Sequence, residues 1–311
     1  MTHKVHLDTD LGGDIDDLCA LAMLLRWEDV EITGITTVAE ANGRRAGYVR
    51  HVLEIEGRCD IPVAAGADAP QGYYRYPELG YPDEERYWSK SIPSSPNAAE
   101  DAIQLLKKSI EQNATIIAIG PFTNLFLLDL QHPGILMDAT LFLMGGYVFP
   151  IRAGYPQWGN EMDWNIQVDV RSAKHVIENS NPTLIPLSVT VETALRRKYL
   201  DDLRKSGALG ELIAQQAEAY AIDEQNERDL GEVYEGLPDD IINFQHDPLA
   251  CAVALGWNDG VEIQEFPLVI EEKDGWLHER IDPLGKPIRV VTKVDGPRFN
   301  EFWLNKLKQV K

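Results

Sequence analysis

Five aspartates fall within ten residues near the start of the chain: Asp8, Asp10, Asp14, Asp16 and Asp17. They belong to the run Val5-His6-Leu7-Asp8-Thr9-Asp10-Leu11-Gly12-Gly13-Asp14-Ile15-Asp16-Asp17, with the apolar stretch Leu18 to Leu25 behind it. The pattern reads as a buried strand, a glycine turn and the first turn of a helix. Gly12 and Gly13 allow backbone angles that a side chain forbids. Carboxylates this crowded repel one another unless something positive sits among them. A divalent cation fits, because hard cations such as Ca²⁺ choose oxygen ligands. Helix capping is the competing account, since aspartates favour the positive end of a helix. It would serve one or two of the five.

The elements that must hold these carboxylates follow from the alternation of short apolar runs with helical segments. Strands are expected at 4–7, 31–38 and 61–65, and helices at 16–27 and 46–57. This is the signature of βαβ units and a parallel sheet. Open sheets of this kind bind ligands at the carboxyl ends of their strands, where Asp10 and the segment after Val38 would lie. The stretch 66–96 breaks the rhythm with Tyr73, Tyr74, Tyr76, Tyr81, Tyr87 and Trp88. A long loop in a compact domain usually has a role. These rings would cover a ligand or pack against a partner subunit.

Alternation then returns. A helix is expected at 98–112, capped by Asn97, then a strand at 114–119. Gly120-Pro121-Phe122-Thr123-Asn124 follows, then a helix from Leu125. A strand at 140–144 leads to a loop, 147–165, that carries Trp158, Asn160, Asp163, Trp164 and Asn165. A helix at 170–178, a strand at 183–187 and a helical stretch at 199–223 come next. The acidic segment 223–240 reads as a mobile connection or cap. His246-Asp247-Pro248 opens a helix at 249–255, with Asp247 suited to its N-cap and Pro248 to its first position. Two strands, 261–270 and 288–292, and a helix at 297–310 close the chain. The expected architecture is α/β: a single domain over 1–311 with a mostly parallel central sheet flanked by helices.

The chain of 311 residues is ample for a sizeable core, and 44% hydrophobic with 25% charged residues is ordinary for a globular protein. A net charge of -21 repels nucleic-acid phosphate but not a free nucleoside. Cys19 and Cys251 stand in apolar helical contexts, so buried thiols are expected rather than a disulfide framework that would include Cys59. The N-terminus runs straight into a strand and no apolar run reaches membrane length, so a cytoplasmic enzyme is expected, not a membrane protein.

Four separated places offer oxygen or imidazole at strand ends: the aspartate cluster, Asn42 with Glu40, the Gly120 to Asn124 turn, and His246-Asp247. Amides at 160–165 beside them suit a polyhydroxyl ligand, which needs donors and acceptors on each hydroxyl. With these residues in view, the chain resembles the inosine-uridine-preferring nucleoside hydrolase family. The resemblance rests on Asp8-Thr9-Asp10, Gly12, Asp16-Asp17, Ile35-Thr36-Thr37-Val38 and Pro62-Val63-Ala64-Ala65-Gly66. It continues through Gly120-Pro121-Phe122-Thr123-Asn124, Met144-Gly145-Gly146, Gly159-Asn160, Trp164-Asn165-Ile166 and His246-Asp247-Pro248-Leu249-Ala250.

The resemblance implies Ca²⁺ held by Asp10, Asp17, the backbone carbonyl of Thr123, and Asp247. Asp10 would also be the general base. Asp16, Asn160, Asp163 and Asn165, joined by Asn42, would bind ribose hydroxyls, and His246 would act as acid toward the leaving base. The substrate would be a ribonucleoside, cleaved to free base and ribose by a homodimer or homotetramer. That chemistry suits the residues. Positive charge develops on ribose as the N-ribosidic bond breaks, as in glycoside hydrolysis, and carboxylates stabilise it.

Three features depart from the family pattern. The turn after Asp10 is two residues longer and adds Asp14, which would bind substrate in place of Asp16, replace Asp17, or cap the helix. Glu-Phe-Asn appears as Asp163-Trp164-Asn165. A His-Gly-Asp-Gly loop is replaced by the tyrosine-rich segment, which with the acidic stretch before His246 is expected to set which base is accepted. Two other readings compete. A haloacid-dehalogenase-type phosphatase would use Asp8 as nucleophile, and a Ca²⁺-dependent nucleoside- or sugar-binding protein would bind without turnover.

Overall fold

The structure, a computed structural model, describes residues 2–68, 70 and 84–309. Its centre is a mixed sheet built from nine of eleven strands among those residues. The strands are β1 (His3–Thr9), β2 (Val30–Thr37), β3 (Val63–Ala65), β4 (Thr115–Ala118), β5 (Leu141–Met144), β6 (Thr183–Ile185), β7 (Ala194–Arg196), β8 (Ile241–Phe244), β9 (Glu262–Lys273), β10 (Trp276–Ile281) and β11 (Lys286–Lys293). The large sheet runs β10-β9-β11-β6-β5-β4-β1-β2-β3. From β11 to β3 every pairing is parallel, while β9 and β10 add an antiparallel edge. The chain builds outward from β1 through β2 to β3, then returns to the other side of β1 to build β4, β5 and β6. The strand order therefore reverses between β1 and β4.

Helices cover both faces. The helix Asp16–Arg26 is buried along all 11 of its residues, which is why its sequence is apolar on every side. It is wrapped by other helices, and the Trp303 indole N–H donates to the Cys19 carbonyl at 3.1 Å. On the other face Ile103, Leu106, Phe122 and Leu125 fill the space under β4 and β5.

Several expectations shift. Asn97 is not a cap: Ala98 holds that position, and the Asn97 amide accepts from Ala65 N–H at 2.7 Å and donates to Ala65 C=O at 2.9 Å. It stands in for the strand that the sheet edge at β3 lacks. Asp247 is not a cap either, because the helix His246–Ala254 starts two residues earlier than expected, with Gln245 before it. The helical stretch expected at 199–223 breaks at Gly207 into Leu200–Lys205 and Ala208–Glu224. The acidic segment is a hydrogen-bonded structure with a π-helix at Glu227–Gly231, and Asp240 pairs with Arg196 at 2.6 Å. The tail holds three strands rather than two. Asp274-Gly275, both at positive φ, turn β9 back into β10, a dipeptide signal that was present in the sequence. Tyr73, Tyr74, Tyr76 and Tyr81 lie outside the described residues. Among the described residues no helix is long and apolar enough to cross a membrane.

A buried polar chain crosses the sheet beneath its carboxyl end. His6 on β1 bonds Ser109 Oγ through Nδ1 at 2.8 Å and Thr36 Oγ1 through Nε2 at 2.9 Å. Thr36 in turn donates to Asp8 Oδ1 at 2.5 Å. With the Thr36 proton spent on Asp8, His6 must donate from Nε2. Burial pushes its imidazole down to about 3. The unfolded chain therefore binds a proton near pH 6.5 that the folded chain refuses until about pH 3. Stability from this group is complete above pH 6.5 and falls as pH drops through that window, by roughly 5 kcal/mol in all. We expect denaturant titrations of His6→Gln between pH 4 and pH 7 to show a flatter acid slope than the parent. Equal slopes would contradict the assignment.

Candidate active site

Open parallel sheets bind ligands in the crevice where the strand order reverses. Here that crevice lies between the carboxyl ends of β1 and β4. Asp10 leaves β1 into it and Gly120 leaves β4 beside it. A Cβ on Gly120 would sit 2.8 Å from Asp10 Oδ1 and from Val38 Cγ1, so only glycine lets the carboxylate lie against that turn. Gly12 takes a φ of 153° in the turn that follows Asp10, whereas Gly13 shows no such need.

The turn delivers Asp16 and Asp17 on the first turn of the helix Asp16–Arg26, and β8 delivers Asp247 on the first turn of the helix His246–Ala254. One carboxylate oxygen from each of these three lies within 4.8 Å of the other two. Backbone N–H of Asp247 donates to Asp16 Oδ2 at 3.3 Å, and the Thr9 hydroxyl donates to Asp17. Asp10 lies outside this trio but its charge bears on all three. Burial first, and then the neighbouring carboxylates, push Asp16, Asp17 and Asp247 well above the usual carboxylate range. Burial raises Asp10 too, opposed by the Arg45 guanidinium and by a hydrogen bond from the Trp164 indole. Buried acids this close cannot all ionise alone. Carboxylate oxygens at the positive ends of two helices are a hard-donor set that fits a divalent cation.

One cavity of about 380 Å³ opens over this floor. Asp10, Asp14, Asp16, Asp17, Asp163, Asn165, His246 and Asp247 all line it. The Asn165 amide donates to the Ile119 carbonyl at 3.0 Å and to the Met144 carbonyl at 3.2 Å, at the ends of β4 and β5. Asp163 accepts from Gly146 N–H and Ile166 N–H, capping the short helix Trp164–Gln167, and burial lifts it to about 6. Asp14 is lifted to about 6, mainly by burial, and accepts from the Asn243 amide, which ties the longer turn to β8.

Other expected residues do not reach the cavity. Asn42 lies in a turn at φ 53°, its N–H on Asp68, and Glu40 beside it accepts the backbone N–H groups of Arg45 and Ala46. Glu40 thereby holds the first turn of the helix Arg44–Ile55, and neither residue lines the cavity. The Asn160 amide is tied to the Leu277 carbonyl at 2.8 Å on β10. The Thr123 hydroxyl donates to Asp169 at 2.7 Å, so only its main chain faces the question of a ligand. His246 lines the cavity with Nδ1 2.6 Å from Thr190 Oγ1, but burial pushes it down to about 4. It is a neutral hydrogen-bonding group near pH 7 rather than a charged acid. Asp8, the phosphatase nucleophile of the competing reading, is fully buried on Thr36 and Asn124. Trp88 stacks on Tyr48 at 4.4 Å in the core, while Tyr87 lines the cavity.

Among the polar lining residues, four escaped the sequence reading: Arg45, Arg86, Tyr220 and Glu224. Arg45 stands in the first turn of a helix, against the dipole, and no local pattern marks it. Its Nε is held by the Ala39 carbonyl at 2.8 Å, which keeps its charge near Asp10 and Asp17.

A mostly parallel sheet with an acid-floored cavity at its switch point is the architecture of an α/β ligand-binding domain. The sequence model of the inosine-uridine preferring nucleoside hydrolase family matches residues 5–301, and the chain belongs to that family. Membership makes it an N-glycosyl hydrolase and implies a metal cofactor, for which the Asp16–Asp17–Asp247 cluster is a fitting place. Among similar proteins, the non-specific ribonucleoside hydrolase RihC of Salmonella agona (strain SL483) is 28% identical over 226 residues, 68% of this chain and 71% of that one. The pyrimidine-specific ribonucleoside hydrolase RihA of Shigella boydii serotype 4 (strain Sb227) is 26% identical over 223 residues, 69% of this chain and 68% of that one. Among solved structures, the plant nucleoside hydrolase PpNRh1 superposes with a TM-score of 0.78 at 19% identity, over 99% of this chain and 100% of that one. The purine-preferring ribonucleoside hydrolase from Gardnerella vaginalis gives 0.75 at 23% identity, over 98% of each chain.

A cation that binds the folded carboxylates and not the unfolded chain stabilises by mass action, about 2.7 kcal/mol at one hundred times its Kd. We expect thermal unfolding at neutral pH to move upward with added divalent cation and back with chelator, and Asp247→Asn to lose most of that shift. A melting temperature indifferent to every divalent cation would refute the site.

Proposed function

We propose that the protein is a Ca²⁺-dependent hydrolase of the N-glycosidic bond of ribonucleosides, releasing free base and ribose. The observation that carries this reading is the meeting of Asp10, Asp16, Asp17 and Asp247 with Asn165 and Asp163 in one cavity at the switch point. Asp10, Asp17 and Asp247 would hold the ion, with Asp16 beside them and the Thr123 carbonyl as the further ligand that the family resemblance implies. When bound, the cation supplies Lewis acidity toward water and a counter-charge for the floor.

The chain's own residues do the rest. Asp10 accepts the proton of the attacking water as general base. Arg45 and the Trp164 indole favour its ionised form against the pull of burial. Asp14, Asp16 and the Asn165 Oδ1 receive ribose hydroxyls. Carboxylates around the sugar stabilise the positive charge that grows as the bond to the base stretches. Neutral His246, placed by Thr190 on the cavity wall, offers a hydrogen bond on the leaving side. A homodimer or homotetramer is the proposed assembly.

Ribonucleosides should be cleaved and 2′-deoxyribonucleosides should be worse by at least about 100-fold, because a site built for hydroxyls is left unpaired without them. A panel of inosine, uridine and their 2′-deoxy forms, scored for free base, reads this directly. Equal rates would overturn the sugar assignment, and tight binding with no turnover would favour a binding protein. Asp10→Asn should lower kcat by about 100- to 10,000-fold, the usual worth of a general base. Near-parental kcat in that variant would move the base to Asp14 or Asp16.

A further inference from the structure

The cavity wall that carries Asp163, Trp164 and Asn165 is stitched to β10, the outermost strand of the sheet. The Gln167 amide donates to the Leu277 carbonyl at 2.9 Å and accepts from Leu277 N–H at 3.0 Å. Two residues further along β10, buried Glu279 accepts from Tyr147 N–H at 3.1 Å. The preceding N–H, that of Gly146, goes to Asp163. Gly145 and Gly146 take φ of 146° and 108°, and a Cβ on Gly145 would meet Asp163 Oδ1 at 3.4 Å. Two buried carboxyl groups therefore hold successive backbone amides of one glycine turn.

Like charges in one buried site push one of the pair toward its neutral form. Hydrogen bonds decide which. Both Asp163 oxygens accept from backbone N–H groups, of Gly146 and Ile166, and such donors favour the ionised acid. Glu279 has one such donor, and its Oε1 is buried with no hydrogen-bond partner among the described residues. A bare carboxylate oxygen in low dielectric is far less favourable than a protonated one. Burial, and then the charge of Asp163, push Glu279 up to about 8, above the value of about 6 for Asp163. Other charged groups on the elements around Glu279 are turned elsewhere. Glu161 accepts from Gly159 N–H, Lys174 pairs with Glu178, His175 with Asp129, and Arg280 with Glu271 of β9 and with Asp282. Arg171 lies over the Phe126 ring.

We infer that Glu279 is a positioning residue of the active site: as a neutral acid behind the wall, it lets Asp163 stay charged and pins the turn 145–147 that holds Asp163 at the cavity. Glu279 does not itself line the cavity. This rests on the N-ribosidase reading above and adds a residue to it. Asn165 depends on the same turn, since its amide donates to the Met144 carbonyl just before Gly145. Once Glu279 loses its proton, two anions hold adjacent amides and repel each other, and the wall shifts. Asp10 and the acidic floor are delivered by β1, β8 and the helices that follow them, so the loss falls on substrate binding rather than on the chemical step.

The test measures kcat and KM from pH 6.5 to pH 9.5, with divalent cation present, for the parent and for Glu279→Gln. Glutamine keeps the shape of the neutral acid and never ionises. The substrates are adenosine, cytidine and p-nitrophenyl β-D-ribofuranoside, none of which titrates in this range. We expect the parent KM to rise at least about threefold between pH 7 and pH 9 with kcat nearly level, and the KM of Glu279→Gln to stay near the parent's pH 7 value throughout. The infrared difference between the two proteins should show one protonated-carboxyl band at pH 7 that is gone by pH 9.5. A flat parent KM, a rise shared by both proteins, or no such band at pH 7 would each overturn the inference and leave the N-ribosidase reading standing. No turnover of any of these ribosides by the parent would bring down both.

Discussion

Mutual repulsion among buried carboxylates is the constraint around which this molecule is arranged. Asp16, Asp17 and Asp247 come from two helices far apart in sequence, yet their oxygens converge within 4.8 Å. Hydrophobic packing forces them together, because the helix Asp16–Arg26 is buried along its whole length and the helix bearing Asp247 lies in the same core. The cost of gathering like charges in low dielectric is offset by two helix N-termini, by Arg45 and by the cation that family membership implies.

The sheet turns that repulsion into a usable site. A reversal of strand order leaves a crevice without covering helices, so Asp10 and the Gly120 turn meet there in the open. Behind the crevice, groups with no access to solvent are hydrogen-bonded in series: Ser109, His6, Thr36, Asp8 and Asn124. Asn124 also donates to the Thr37 carbonyl and accepts from Ala67 N–H, which ties the ends of β2 and β4 together. This network fixes the floor of the site from behind.

At that rim the departures from the family pattern become intelligible. The longer turn after Asp10 places Asp14 on β8 through Asn243, so the added residues brace one wall. The shorter carboxylate of Asp163 is spent on two backbone N–H groups, and the tryptophan beside it turns its indole to Asp10. The tyrosine-rich segment divides its work among the described residues: Trp88 enters the core on Tyr48, and Tyr87 meets Tyr220 at the cavity.

The sequence by itself determined the alternation of strands and helices, the carboxyl-end position of the aspartates and the residues of the floor. Each of these is written in local period, in glycine turns or in the crowding of one residue type, all of which act over a few residues. Its element edges were wrong wherever a distant group decided them. Asn97 serves a strand edge, the backbone N–H of Asn42 is held on the Asp68 carboxylate, and the Asn160 amide is tied to the Leu277 carbonyl. Only the tertiary structure decided the rim. Arg45, Arg86, Tyr220 and Glu224 carry no mark in their own neighbourhoods, and their meaning comes from facing carboxylates and rings brought close by the packing of helices on the sheet. Charge and stacking act through space, so residues that gain their role from a partner remote in sequence become legible only once the chain has folded.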